Sequence, residues 1–152
     1  MKLYLLKNKK PTAIELFAGA GGMALGLEKA GFDNKMLIDN NKDCVKTLRK
    51  NRPKWNVIEE DIQKFDFDGM RADVVTGGFP CQAFSHAGNK LGFSDTRGTL
   101  FYEFARAVKE IRPKIFLAEN VEAIVRNDNG KTLRTIMDVL LSLGYDVQYK
   151  IL

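Results

Sequence analysis

The chain has 152 residues, of which 45% are hydrophobic and 28% charged, with two cysteines and a formal net charge of +5. That length suits one domain with a sizeable core. No stretch approaches the roughly 20 apolar residues of a membrane span, and Cys44 and Cys81 cannot build a disulfide framework. The charge is lopsided. Lys2, Lys7, Lys9 and Lys10 lie in residues 1–11 with no acid, which leaves 20 cations against 19 acids in residues 12–152. Such a basic arm attracts nucleic acid, yet it serves equally as a solubilising tail. Charge alone therefore decides nothing about nucleic acid. The opening MKLYLLKNKKP has too short an apolar run for a signal peptide.

Short β-branched runs alternate with helix-period segments along the chain. Residues 12–17 read as a strand and 22–30 as a helix stopped by Gly31. Residues 35–39 read as a second strand. A helix over 42–51 follows, with Val45 and Leu48 on one face and Pro53 beyond it. Strands are expected at 57–60 and 72–76. Residues 100–112 carry Phe101, Phe104, Ala105, Val108 and Ile111 at helical spacing. A strand over 114–119, a helix over 132–143 ended by Gly144, and a sixth strand over 146–152 complete the series. This rhythm predicts an α/β, Rossmann-like parallel sheet with helices on both faces, incomplete at its C-terminus. Ligands of such sheets bind at the carboxyl ends of the strands.

The first strand runs into Phe17-Ala18-Gly19-Ala20-Gly21-Gly22 and then a helix. Glycines permit a tight turn and close approach of a ligand, and the helix N-terminus offers free N–H donors. Asp39 ends the second strand, where a carboxylate can accept both hydroxyls of a ribose. Asp61 follows the third strand and can take an adenine amino group, with Ile62 packing on the ring. Gly19, Gly21 and Ala24 also fit a dinucleotide pattern, so the glycines alone leave a nicotinamide enzyme open. Residues 127–132 contain G-K-T, but Val125 stands where a P-loop needs its first glycine.

After the fourth strand comes Gly77-Gly78-Phe79-Pro80-Cys81-Gln82. Cys44, in mid-helix, reads as a small buried hydrophobe. Cys81 follows proline in a glycine-rich turn at the ligand edge, a placement that favours thiolate. His86 reads as a solvent or phosphate contact, and two distant cysteines with one histidine make no metal site. The fifth strand ends in Glu119-Asn120-Val121. Its carboxyl group can face Cys81 and, with water excluded, hold a proton to donate. Nucleophilic sulfur beside a carboxylic acid suits attack on an electron-poor ring.

The segments Phe17–Gly22, Gly78–Gln82, Arg97-Gly98-Thr99-Leu100-Phe101 and Glu119–Val121, in that order, resemble the DNA cytosine-5 methyltransferases, above all bacterial modification enzymes. The resemblance covers residues 12–152 as a catalytic and cofactor-binding domain after the basic arm of residues 1–11. It implies S-adenosylmethionine, leaving as S-adenosylhomocysteine, bound by Phe17, Ala18, Gly19, Ala20, Gly21, Gly22, Asp39, Asp61, Ile62, Pro80 and Leu100. It implies that Cys81 attacks C6 of a cytosine flipped out of duplex DNA, while Glu119 engages N3 and the exocyclic amine. Phe79, Gln82, Ser85, Lys90, Arg97, Asn120 and Val121 would face the substrate, with residues 83–97 as a loop closing over DNA. One departure is Asn40, where many relatives carry an aromatic residue. Family members continue with a Q-x-R-x-R segment, a target-recognition domain and a final helix. The expectation is therefore a second chain or a further C-terminal region, weak or no methylation by this chain alone, and a cytoplasmic prokaryotic or phage-encoded setting. A transfer-RNA methyltransferase and a non-catalytic cofactor-binding subunit are the alternatives.

Overall fold

A computed structural model of the chain describes residues 9–80 and 100–152. Five strands form one parallel sheet: β1 (Thr12–Leu16), β2 (Asp33–Asp39), β3 (Val57–Glu59), β4 (Val74–Gly77) and β5 (Ile115–Ala118), in the spatial order β3-β2-β1-β4-β5. Helices α1 (Gly22–Lys29), α2 (Lys42–Asn51), α3 (Leu100–Ile111), α4 (Ala123–Arg126) and α5 (Lys131–Ser142) lie between and after them. From β1 the chain builds outward to β3. It then returns to the other side of β1 for β4 and β5. The order thus reverses between β1 and β4, the point where open parallel sheets form a crevice at their carboxyl edge.

Alternate strand residues face opposite ways, and the core divides accordingly. Ile14, Leu16, Met36, Ile38 and Val75 meet Phe101, Phe104, Val108, Ile111, Ile136 and Leu140 from α3 and α5. Leu37 and Val57 meet Ala24, Val45 and Leu48 from α1 and α2 on the other face. The helices thus cover both faces, as the apolar spacing predicts. Cover is thinnest at β5, where Ile115 and Leu117 are 61% and 51% exposed.

Element boundaries move by at most two residues from expectation. β2 starts at Asp33 because that residue pairs in register with Thr12. β4 starts at Val74, and the Asp73 before it is tied to β1, its amide donating to Thr12 O and its carboxylate accepting the Thr12 amide and hydroxyl. The expected sixth strand is a correction. Residues 146–152 are irregular, with Tyr149, Ile151 and Leu152 exposed. Their alternating apolar pattern favours extended backbone, but a strand exists only through a partner. None of the described residues pairs with this segment.

Candidate active site

The chain leaves β1 through a tight left-handed turn. Phe17 holds φ at +55°, Gly19 at +53° and Gly21 at +85°. A bulky residue in that region is strained, and such strain persists only where the surroundings impose it. Here the imposing contacts are backbone: the Ala18 amide donates to Ile38 O at 3.0 Å and the Gly21 amide to Ala18 O at 2.8 Å. Gly21 also has no room for a side chain, since a Cβ there would lie 2.5 Å from Leu48 Cδ2. A Cβ on Gly19 or Gly22 would meet nothing within 4 Å, so the outer side of the turn is open.

Asp39 ties this turn to the end of β2. Its Oδ2 accepts the Gly19 amide at 2.7 Å and its Oδ1 the Asn41 amide at 2.8 Å. A carboxylate has about four acceptor positions, so both oxygens keep capacity for a ligand. The cap of α2 falls to Asn41, which accepts the Asp43 and Cys44 amides. Asp61, partly buried, accepts the Gln63 amide at 3.0 Å and shapes the turn after β3. Ile62 is buried in the α3-side core, so it offers little surface to a ring.

Sequence reasoning missed the residue that fixes this turn. Arg106, on α3, donates to Ile62 O at 2.8 Å and Phe65 O at 3.1 Å. It also pairs with Glu103 at 2.7 Å and Glu110 at 3.2 Å, and its guanidinium lies 5.0 Å from the Phe67 ring centroid. The available signal was acidic residues three before and four after Arg106 on one helix face.

The ends of β4 and β5 meet side by side. The Glu119 amide donates to Gly77 O at 3.0 Å. The Glu119 carboxylate then lies over Gly78, where a Cβ would come within 2.9 Å of its Oε2. Asn120 Nδ2 donates to Phe79 O at 2.7 Å and its Oδ1 accepts the Val121 amide at 2.9 Å. Asn120 thereby holds the backbone of the glycine-proline loop rather than presenting its amide outward. The Phe79 ring likewise turns inward, 3% exposed, against Phe101 and Phe104 at centroid distances of 5.3 and 5.7 Å. The ring is thus packed into the core rather than turned toward the strand-end crevice. Pro80 and Val121 are exposed, and Leu100 is half-buried at the start of α3. Cys81, Gln82, Ser85, His86, Lys90 and Arg97 lie outside the described residues, as does most of the basic arm. The Cys44 thiol is pushed up by burial and then by Asp39 and Asp43, the opposite of activation.

A second unforeseen feature lies beneath the turn. Glu15 and Thr76 are register partners on β1 and β4, 2% and 0% exposed. Glu15 Oε2 and Thr76 Oγ1 have no hydrogen-bond partner among the described residues. Burial pushes the Glu15 carboxyl up to about 7, against a smaller opposing effect of the Ala24 backbone.

The family model for C-5 cytosine-specific DNA methylases matches residues 12–152. The chain is 59% identical over 142 residues to Type II methyltransferase M.Eco47II of Escherichia coli, covering 92% of this chain and 34% of that protein. It is 47% identical over 151 residues to Type II methyltransferase M.Sau96I of Staphylococcus aureus, covering 96% and 35%. The chain thus spans about a third of the length of these curated relatives. Among solved structures it is similar to an Escherichia coli prophage protein described as a DNA modification methyltransferase. That likeness has a TM-score of 0.69 and 30% identity, over 88% of this chain and 38% of that one. The fold also matches the Dnmt2 methyltransferase of S. pombe, with a TM-score of 0.62 at 22% identity, over 85% of this chain and 39% of that one.

Proposed function

The chain belongs to the C-5 cytosine-specific DNA methylases, and from that premise we propose that it forms the catalytic, cofactor-binding part of an enzyme that methylates C5 of cytosine in duplex DNA. One observation carries the proposal. The Glu119 carboxylate stands over Gly78, three residues before Cys81, at the carboxyl edge of the sheet beside the turn of Phe17–Gly22. An acid and a nucleophile's loop therefore share one strand-end crevice.

S-Adenosylmethionine fits the residues present. The turn is open at Gly19 and Gly22, and Asp39 keeps acceptor capacity for ribose hydroxyls. The N-cap of α1 is Gly21, which supplies no side-chain partner to the first amides of that helix. When bound, the cofactor supplies an electrophilic methyl group. Asp39 would orient the ribose, and the turn of Asp61 the adenine. Cys81 would add as thiolate to C6 of the extruded cytosine, while Glu119 gives a proton or hydrogen bond at N3. The ring electrons then reach C5, which takes the methyl group. Loss of the C5 proton to a base and expulsion of the Cys81 thiolate restore the aromatic ring. Asn120 would act as a positioning residue, holding the Phe79 carbonyl and so the loop that leads to Cys81.

The remaining machinery, target recognition included, would come from a second chain or a C-terminal region such as those that fill out the curated relatives. The setting proposed is the cytoplasm of a prokaryote or phage host. No helix among the described residues is long and apolar enough to cross a membrane. The match to the C-5 cytosine-specific DNA methylase family favours DNA over transfer RNA. The retained Cys81 and Glu119 favour an enzyme over a binding subunit.

The test has two arms. Calorimetric titration with S-adenosylmethionine should show binding that Asp39→Ala weakens. Duplex DNA carrying 5-fluorocytosine should trap a covalent adduct through Cys81, with the chain alone or with the C-terminal region of a relative added. An adduct that persists in Cys81→Ala, or its absence in both arrangements, overturns the reading.

A further inference from the structure

A concavity of about 390 Å3 opens at the amino edge of the sheet, opposite the strand ends that carry Gly19, Asp39 and Glu119. Its rim includes Lys9, Lys10, Lys35, Arg71 and the Lys114–Asp73 pair. Asp73 is the rim's single acid, and it is already engaged. The Lys114 ammonium lies 2.7 Å from its Oδ1, while Thr12 donates its amide and hydroxyl to Oδ2 at 2.8 and 2.9 Å. These bonds, that of Lys114 first, hold the Asp73 carboxyl well below the usual carboxylate range.

The other four cations are unopposed. Lys9, Lys10, Lys35 and Arg71 make no ion pair among the described residues. Lys35 donates to Arg71 O at 3.4 Å, and Arg71 to Met70 O and Glu110 O, so carbonyls orient two of the four without neutralising them. The whole chain holds 24 cations against 19 acids, whereas this concavity is lined by five cations and one acid. The rim is therefore richer in cations than the chain as a whole.

We propose that this edge makes a second, sequence-independent contact with duplex DNA, with Lys9, Lys10, Lys35 and Arg71 on the phosphate backbone. The inference rests on the reading that the chain acts on DNA. All four side chains are exposed on long stems and come from three segments around an open rim, Lys9 and Lys10 from one, Lys35 and Arg71 from the others. No buried donor converges on a point, as a site for one small anion would require. Charges spread in this way match charges spaced along a polymer, and each phosphate neutralised releases condensed counterions. A duplex held here is not the one presenting its base at the carboxyl edge. It is a neighbouring stretch, kept close while the reacting edge samples sites.

The test is fluorescence anisotropy of a labelled poly(dA)·poly(dT) duplex, which contains no cytosine, over a salt series. Lys9→Gln, Lys10→Gln and Lys35→Gln are combined in one variant. Lys46→Gln, Lys50→Gln and Lys54→Gln, exposed on or just beyond α2, form a control of equal net charge. The first triple should weaken binding at least tenfold at low salt. It should also make the slope of log K against log salt shallower by about 2 to 3. The control should change each by less than half as much. Equal losses in both triples, or none in either, overturn the contact, as does displacement of the duplex by millimolar inorganic phosphate. A chain that binds no duplex also overturns it, while the Cys81 adduct separately decides the reading beneath it.

Discussion

Raising the pH from about 5 to about 8 should destabilise this fold through one buried carboxyl. Glu15 is 2% exposed, and burial lifts it from 4.5 to about 7. The folded chain thus holds this proton more tightly than the unfolded chain does. Between those two values the unfolded state binds fewer protons, so stability falls as pH rises, and it levels off above about 7. The difference from 4.5 to about 7, at about 1.4 kcal/mol per pH unit, amounts to roughly 3 kcal/mol at most. In a domain of this size that is a fall in Tm of about 6–12 °C. Asp73 has the opposite sign, but its depressed value confines its effect to pH below about 4. Glu15→Gln keeps an acceptor for the Ala24 backbone and cannot ionise. Its urea midpoint should therefore be flat across the window in which the wild type declines, and should exceed the wild type's at about pH 8. A wild-type midpoint that does not fall between about pH 5 and 8, or a Glu15→Gln variant that falls equally, refutes the account.

Gly78→Ala should separate stability from activity. Its methyl group would come within 2.9 Å of Glu119 Oε2, the mobile end of a side chain, so the fold should lose under about 1 kcal/mol. The displaced carboxylate should cost methyl transfer about a hundredfold, measured with the C-terminal region supplied; an unchanged rate would show that Glu119 does not act from this position. Gly21→Ala should destabilise by about 2–4 kcal/mol in urea unfolding, because it combines φ of +85° with a clash against Leu48. Arg106→Met should cost about 2 kcal/mol or more by leaving the Ile62 and Phe65 carbonyls and two carboxylates without their donor. It should also weaken cofactor affinity through the Asp61 turn. Calorimetry with unchanged affinity would detach that turn from the adenine.

Much of the fold was legible because each segment carried its own period. The alternation of Ile14 and Leu16, or of Met36 and Ile38, marks a strand, and Phe101, Phe104, Val108 and Ile111 mark one face of α3. The sixth strand misled for the complementary reason. Its pattern records a preference for extended backbone, whereas pairing depends on a partner elsewhere. The inward turn of Phe79 was hidden likewise, because a loop residue's facing is set by what packs above it, here Phe101 and Phe104.

The placement of Glu119 follows from topology as much as from residue type. Nothing local in Glu119-Asn120-Val121 states which loop the carboxylate will face. Parallel pairing decides it, since Gly77 is in register with Ala118 and the next residue of each chain continues past the sheet edge. The Glu119 amide then bonds to Gly77 O, and Asn120 reaches the Phe79 carbonyl. These two bonds leave the carboxylate over the bare Cα of Gly78, where a side chain would crowd it. The glycine is therefore needed for approach rather than for backbone freedom, and its alanine variant tests the acid's position without touching the acid itself.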